Sequence, residues 1–105
     1  MNSTPLWRVY AEMPVPTVRP HDHHARLQHA LSTDSRVISA ETAICGTPHH
    51  HYVAATAVIA APDARTAGLL ASEALQRACA VARLPTGPLR AVTTELLGGQ
   101  SPSAP

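Results

Sequence analysis

Alternation of apolar and polar residues with a period of two recurs four times in this 105-residue chain, and helical periodicity fills the gaps after the first and third runs. Leu6 to Met13, LWRVYAEM, sets Trp7, Val9, Ala11 and Met13 against Arg8, Tyr10 and Glu12, the pattern of a strand buried on one face. Arg36 to Gly46 repeats it with Ile38, Ala40, Thr42 and Ile44 inward, and Tyr52 to Ala60 with Val53, Ala55, Ala57 and Ile59 inward. Leu89 to Leu96 offers a fourth strand with Val92 and Leu96 inward. From Pro20 to Ser32 the period lengthens: Leu27, Ala30 and Leu31 share a helical stripe, His23 and His24 lie a turn earlier, and Arg26 and His29 fall off it. Asp63 is an N-cap residue type, after which Ala67, Leu70, Ala71, Ala74, Leu75, Ala78 and Ala82 repeat with helical spacing through Arg83. Glu73 and Arg77 are spaced as an i,i+4 ion pair on its outer side.

The resulting order, β-α-β-β-α-β, predicts a ferredoxin-like α+β fold. Right-handed crossovers then give a four-stranded antiparallel sheet of order 4-1-3-2 with both helices on one face. Residues 1–97 form a single domain, and residues 98–105, GGQSPSAP, read as a disordered tail. The hydrophobic share is 45%, but Ala and Val supply much of it and Phe is absent, so the core is expected to be thin and finely packed. A chain this short has no room for a cleft between domains.

The charge balance narrows the function. A formal net charge of +1 gives no long-range attraction for a phosphate backbone. RNA-recognition domains share the topology and stack bases on aromatics of the first and third strands, where Tyr10 and Tyr52 fall. Their K/R-G-F/Y-G/A-F-V-x-F/Y pattern is missing, however, and Glu12, Glu41 and Glu95 put negative charge where phosphates would run. Direct nucleic-acid binding is therefore not expected. The N-terminus has no charged segment followed by an apolar one, and no apolar run reaches about 18 residues, so a soluble, cytoplasmic protein without membrane association is expected. Cys45 and Cys79 lack CxxC spacing and fit two reduced, buried thiols.

All seven histidines lie in two groups, HDHHARLQH at 21–29 and HHH at 49–51. In the predicted topology the loop after the first strand and the hairpin turn between the second and third strands emerge at one end of the sheet. His21, His23 and His24 would then share a rim with His49, His50 and His51, a donor set that suits Zn²⁺ or Ni²⁺. No HExxH accompanies them, and the plainer reading is solvated polar loops.

The helix-free side of the sheet is predicted to show Arg8, Tyr10, Glu12, Glu41, Tyr52, Thr56, Val58 and Thr93, with Ser39, Ala43, Cys45, Ala54, Ala91 and Glu95 among them. Ala54 and Val58 are rather apolar for bare solvent, which makes this face a candidate interface. Catalytic order is weak in the sequence: no GxSxG elbow or glycine-rich phosphate loop is present, and Glu12 and Glu41 sit on non-adjacent strands.

Trp7 in the first strand, APDA at Ala61 to Ala64, RLP at Arg83 to Pro85 and a strand near TTEL together resemble the N-terminal ferredoxin-like domain of small actinobacterial helix-turn-helix proteins. The resemblance covers about two-thirds of the chain. It implies a regulatory or assembly domain without the DNA-reading helices, and it transfers no catalytic or ligand residue.

Three readings follow. The leading one is a non-enzymatic regulatory or assembly domain that forms a dimer, or docks a protein partner, through the open sheet face, with no cofactor. The first alternative is a histidine-rich module binding or sensing Zn²⁺ or Ni²⁺. The second is a small enzyme of the dimeric α+β-barrel kind, with an apolar pocket between paired sheets.

Overall fold

Six elements occur in the expected order: β1 (Leu6–Val15), α1 (His21–Ser32), β2 (Ser39–Thr47), β3 (His50–Ala60), α2 (Ala64–Val81) and β4 (Ala91–Leu97). This computed structural model describes residues 4–15, 21–47, 50–84, 87–88 and 91–97, with the backbone alone at 21–23, 47, 50 and 91. The tail at 98–105, the loop at 16–20 and His49 lie outside the described residues.

The strands form one antiparallel sheet of order β2-β3-β1-β4, the expected order read from the other edge. Alternation along the two central strands puts Val9, Ala11, Met13 and Val15 of β1 beside Val53, Ala55, Ala57 and Ile59 of β3, all buried. Both helices cover this side. α1 contributes Leu27 and Leu31, and α2 contributes Leu75, Cys79 and a row of alanines whose small side chains let the helix lie close to the sheet. Each fully buried Val, Leu or Ile contributes about 1.5–3 kcal/mol, so the six largest fully buried side chains, with Met13, Val15, Val37 and Leu84, dominate a core otherwise rich in Ala.

Local chemistry sets the ends of α2. The Asp63 carboxylate accepts from the Thr66 amide at 2.7 Å, satisfying one of the first-turn donors. At the other end Leu84 N donates to Cys79 O at 2.9 Å and Arg83 N to Ala80 O at 3.1 Å, a Schellman closure that places Arg83 at φ 58°. Trp7 is half-buried, and its indole Nε1 donates to Ala61 O at 2.9 Å, tying the start of β1 to the end of β3.

Pro14 lies inside β1, where a missing amide would normally break a ladder. Its nitrogen faces β4, whose described pairing with β1 ends at Glu12 and Ala91, so no described ladder bond is lost. Its carbonyl still accepts from Gly87 N at 2.9 Å.

Several expectations need correction. β1 runs on to Val15, and β2 begins at Ser39 rather than Arg36. Ile38, Val92 and Leu96, expected inward, are 59%, 42% and 51% exposed. Val92 and Leu96 stand on edge strand β4, where α2 packs through Gly68, which has no side chain to cover them and where an added Cβ would lie 3.8 Å from Val92 and Thr94, and Ile38 precedes the first residue of β2. Glu73 and Arg77 do not pair with each other. Arg36 bridges to Glu73 at 3.0 Å and Arg77 to Asp34 at 2.8 Å, because both partners in the α1–β2 connection come within reach of α2.

Candidate functional site

A period of two fixes which side chains share the helix-free face. Cross-strand register confirms the placement: Glu41, Thr56, Tyr10 and Thr93 form one row across the four strands, and Val58, Arg8 and Glu95 lie in the next. Glu12 and Tyr52 follow on the same side. The whole predicted face is therefore assembled.

Two polar contacts organise it. Tyr10 Oη donates to Glu12 Oε2 at 2.6 Å, an i,i+2 contact along one face of β1. The acceptor carboxylate, with burial and the Glu12 charge adding to it, pushes the Tyr10 phenol up to about 12. Arg8 Nη1 meets Glu95 Oε1 at 3.0 Å, an exposed pair. Glu41 is exposed and has no ion-pair or hydrogen-bond partner among the described residues. Around it the surface is concave. One hollow is lined by Tyr10, Gln28, Glu41, Thr42, Ala43, Ala54 and Thr56, and a second by Arg8, Ser39, Ala40, Glu41, Thr56 and Val58, so both reach the β2 edge of the sheet. Glu41 and Thr56 belong to both, so the two hollows adjoin across a floor of small side chains.

The histidines divide. Val15 pairs with His51 and Thr47 with His50, so the hairpin tip and the end of β1 do share one end of the sheet. His51 falls on the helix side by register. His24 turns to the edge of β2, where Nε2 lies 2.8 Å from Thr42 O. A carbonyl can only accept, so that nitrogen carries the proton and is committed to the backbone. The side chains of His21, His23 and His50, and all of His49, are outside the described residues. Among the described residues no group of three or more His, Cys, Asp or Glu side chains could hold a metal ion.

Sequence reasoning missed a second contact at the same edge. Gln28, one turn after His24, accepts from Thr42 N at 2.7 Å through Oε1 and donates to Ala40 O at 2.8 Å through Nε2. Its amide mimics a neighbouring strand. Of the two free thiols, Cys45 is half-buried rather than buried, and Cys79 is buried, with its thiol pushed up to about 11 by desolvation.

No family model matches this chain, and no curated protein matches it significantly. Solved structures do share its fold. One is a protein of Chloroflexus aurantiacus J-10-fl provisionally named an antibiotic biosynthesis monooxygenase, similar at TM-score 0.57 and 20% identity over 91% of this chain and 97% of its own. That likeness shows the fold, a ferredoxin-like α+β domain.

It also overturns the leading functional expectation. The non-enzymatic regulatory or assembly domain is corrected on this finding, because a solved structure of this fold is named for chemistry rather than for regulation. Among the described residues, no helix is long and apolar enough to cross a membrane.

Proposed function

We propose that this chain is a small enzyme of the dimeric α+β-barrel kind, in which the open faces of two copies close over a pocket and the reaction is an oxygenation of the monooxygenase class. The observation that carries this reading is the coincidence, on one open face, of adjoining hollows with an oriented phenol and a carboxylate, Glu41, that has no partner among the described residues. A shallow hollow on a single sheet becomes an enclosed site once a second sheet faces it. Small side chains at Ala43, Ala54 and Thr56 allow that approach.

A monooxygenase places one atom of O₂ in its substrate and releases the other as water, and the balance closes without an external donor where the substrate itself supplies the electrons, a ring CH₂ becoming C=O (R₂CH₂ + O₂ → R₂C=O + H₂O). The residues of this face contribute proton transfer and orientation. Glu41 accepts a proton from an acidic O–H or C–H of the substrate. Tyr10, whose hydrogen is committed to Glu12, offers its oxygen as acceptor to a substrate hydroxyl. Arg8, the cation of this face among the described residues, is already paired with Glu95, and Glu12 and Glu41 add two further carboxyl groups to the face. A neutral, hydroxylated ring compound fits that balance better than an anion.

The test is oxygen uptake by purified protein against a panel of neutral hydroxyaromatic compounds, beside light-scattering mass. The reading expects at least twice the 11.1 kDa chain mass and a turnover that falls by about 10²-fold or more in Glu41→Gln. A mass halved in Val58→Glu, with turnover lost, would place the pocket between copies. No uptake with any compound, together with a monomeric wild type, would overturn it.

A further inference from the structure

The two edges of the sheet are finished differently. In an antiparallel sheet, successive residues of a strand turn their N–H and C=O groups to opposite neighbours. On β2 the outward groups of Ala40 and Thr42 are taken up by Gln28 and His24. That edge is closed at its centre by the chain's own helix.

β4 has no such cover among the described residues. Pro14 O accepts from Gly87 N, so the even-numbered residues of β1 turn towards β4. They register as Glu12 with Ala91, Tyr10 with Thr93 and Arg8 with Glu95. Ala91, Thr93 and Glu95 are thus committed to β1, and Val92, Thr94 and Leu96 turn their backbone groups outward. These residues also carry the side chains that the helical layer leaves uncovered, with Val92 42% and Leu96 51% exposed. An open backbone edge and an apolar strip coincide on one strand.

We propose that β4 pairs antiparallel with β4 of a second copy about a twofold axis through Thr94, joining two sheets into one of eight strands. The occupant is argued from self-complementarity. An axis at Thr94 opposes Thr94 to itself and Val92 to Leu96 of the second copy, each a pair that exchanges both N–H and C=O. Both apolar side chains meet on the helix side. On the other side Thr93 opposes Glu95, which Arg8 already neutralises, so no like charges face each other. A twofold pairing of one strand with itself closes the edge of both copies at once. This contact uses the edge of the sheet and is independent of the open-face pairing, so the two assemble separately: mass corresponds to four chains where both hold and two where one does.

Amide hydrogen exchange by NMR at low and high protein concentration tests it, with Thr94→Pro and Leu96→Lys as variants. Proline at 94 removes an outward amide and costs β1 no hydrogen bond. The expected result is protection of the Val92, Thr94 and Leu96 amides that rises with concentration, by about 100-fold or more, and a light-scattering mass halved in both variants. Fast exchange of these amides at millimolar protein would overturn the proposal. So would protection that does not change with concentration, which would mean that the edge is covered by the chain itself, or an undiminished mass in variants that keep native circular dichroism.

Discussion

Gln28 holds Thr42 in the way a neighbouring strand would, its Oε1 accepting from the Thr42 amide at 2.7 Å and from the Thr42 hydroxyl at 2.8 Å. With Nε2 on Ala40 O, one side chain of α1 answers three groups of β2. Helix α1 therefore does two tasks: its Leu27 and Leu31 face fills the core, and its His24 and Gln28 face seals an edge.

Replacing Gln28 by Ala should expose that edge. The loss of a bonded amide at a half-buried position costs about 1–2 kcal/mol, which in a domain of this size lowers Tm by roughly 4–8 °C per kcal/mol. Glutamate in its place keeps an acceptor for Thr42 N and sets a negative oxygen against Ala40 O, so it should be no better than Ala. Thermal melts rank the three proteins. Light scattering during the melt should also show earlier aggregation in the Ala variant, because an unprotected edge templates pairing between chains.

Glu12 controls the ionisation of Tyr10. Glu12→Gln removes the charge and the strongest acceptor, so the phenol should fall from about 12 towards its ordinary 10.0. Ultraviolet titration in a Tyr52→Phe background reads this directly. The folded value lies above the unfolded one, so the contribution to stability is complete below pH 10 and is lost as pH rises towards 12. The wild type should therefore lose stability across that interval, and Glu12→Gln should lose less. Identical alkaline unfolding in both proteins would contradict the coupling.

The strands and their faces were legible in the sequence because alternation assigns each residue to a side, whatever packs there. All eight residues expected on the open face from Arg8 to Thr93 are there for this reason. What alternation cannot show is how far the covering layer extends. Val92 and Leu96 point to the helix side as expected and still meet solvent, since two helices span less than four strands. Side chains that bind backbone, such as His24 and Gln28, leave no periodic trace. Their i,i+4 spacing beside an edge strand was the signal available. The Glu73 and Arg77 spacing misled because partners distant in sequence were nearer in space.

Gly87 is required by Pro14. A Cβ at 87 would lie 2.7 Å from Pro14 Cγ, inside any real contact, and the proline ring can move that atom only by a change of pucker. The hydrogen bond from Gly87 N to Pro14 O holds the two chains at that separation. Gly87→Ala should cost about 1–3 kcal/mol through the forced shift. The double variant Gly87→Ala with Pro14→Ala should recover part of it, since an alanine at 14 presents no ring. A denaturant-based double-mutant cycle measures the coupling, and strict additivity would contradict the contact.

Arg83 stands where glycine is the easy residue. At φ 58° its Cβ crowds the backbone, a conformation that costs a non-glycine residue about 1–2 kcal/mol. The Schellman bonds from Leu84 and Arg83 hold it there because they satisfy the last carbonyls of α2, and Leu84 is buried at the end of the turn. Arg83→Gly removes the crowding but loosens the unfolded chain, a penalty of roughly 0.5–1 kcal/mol. The difference leaves a net gain of about 0.5–1 kcal/mol, readable as an increase in the urea midpoint at unchanged slope. Arg83→Val, branched at Cβ, should move the midpoint the other way. No part of the open face touches this turn, so any activity measured at Tyr10 and Glu41 should be the same in both variants.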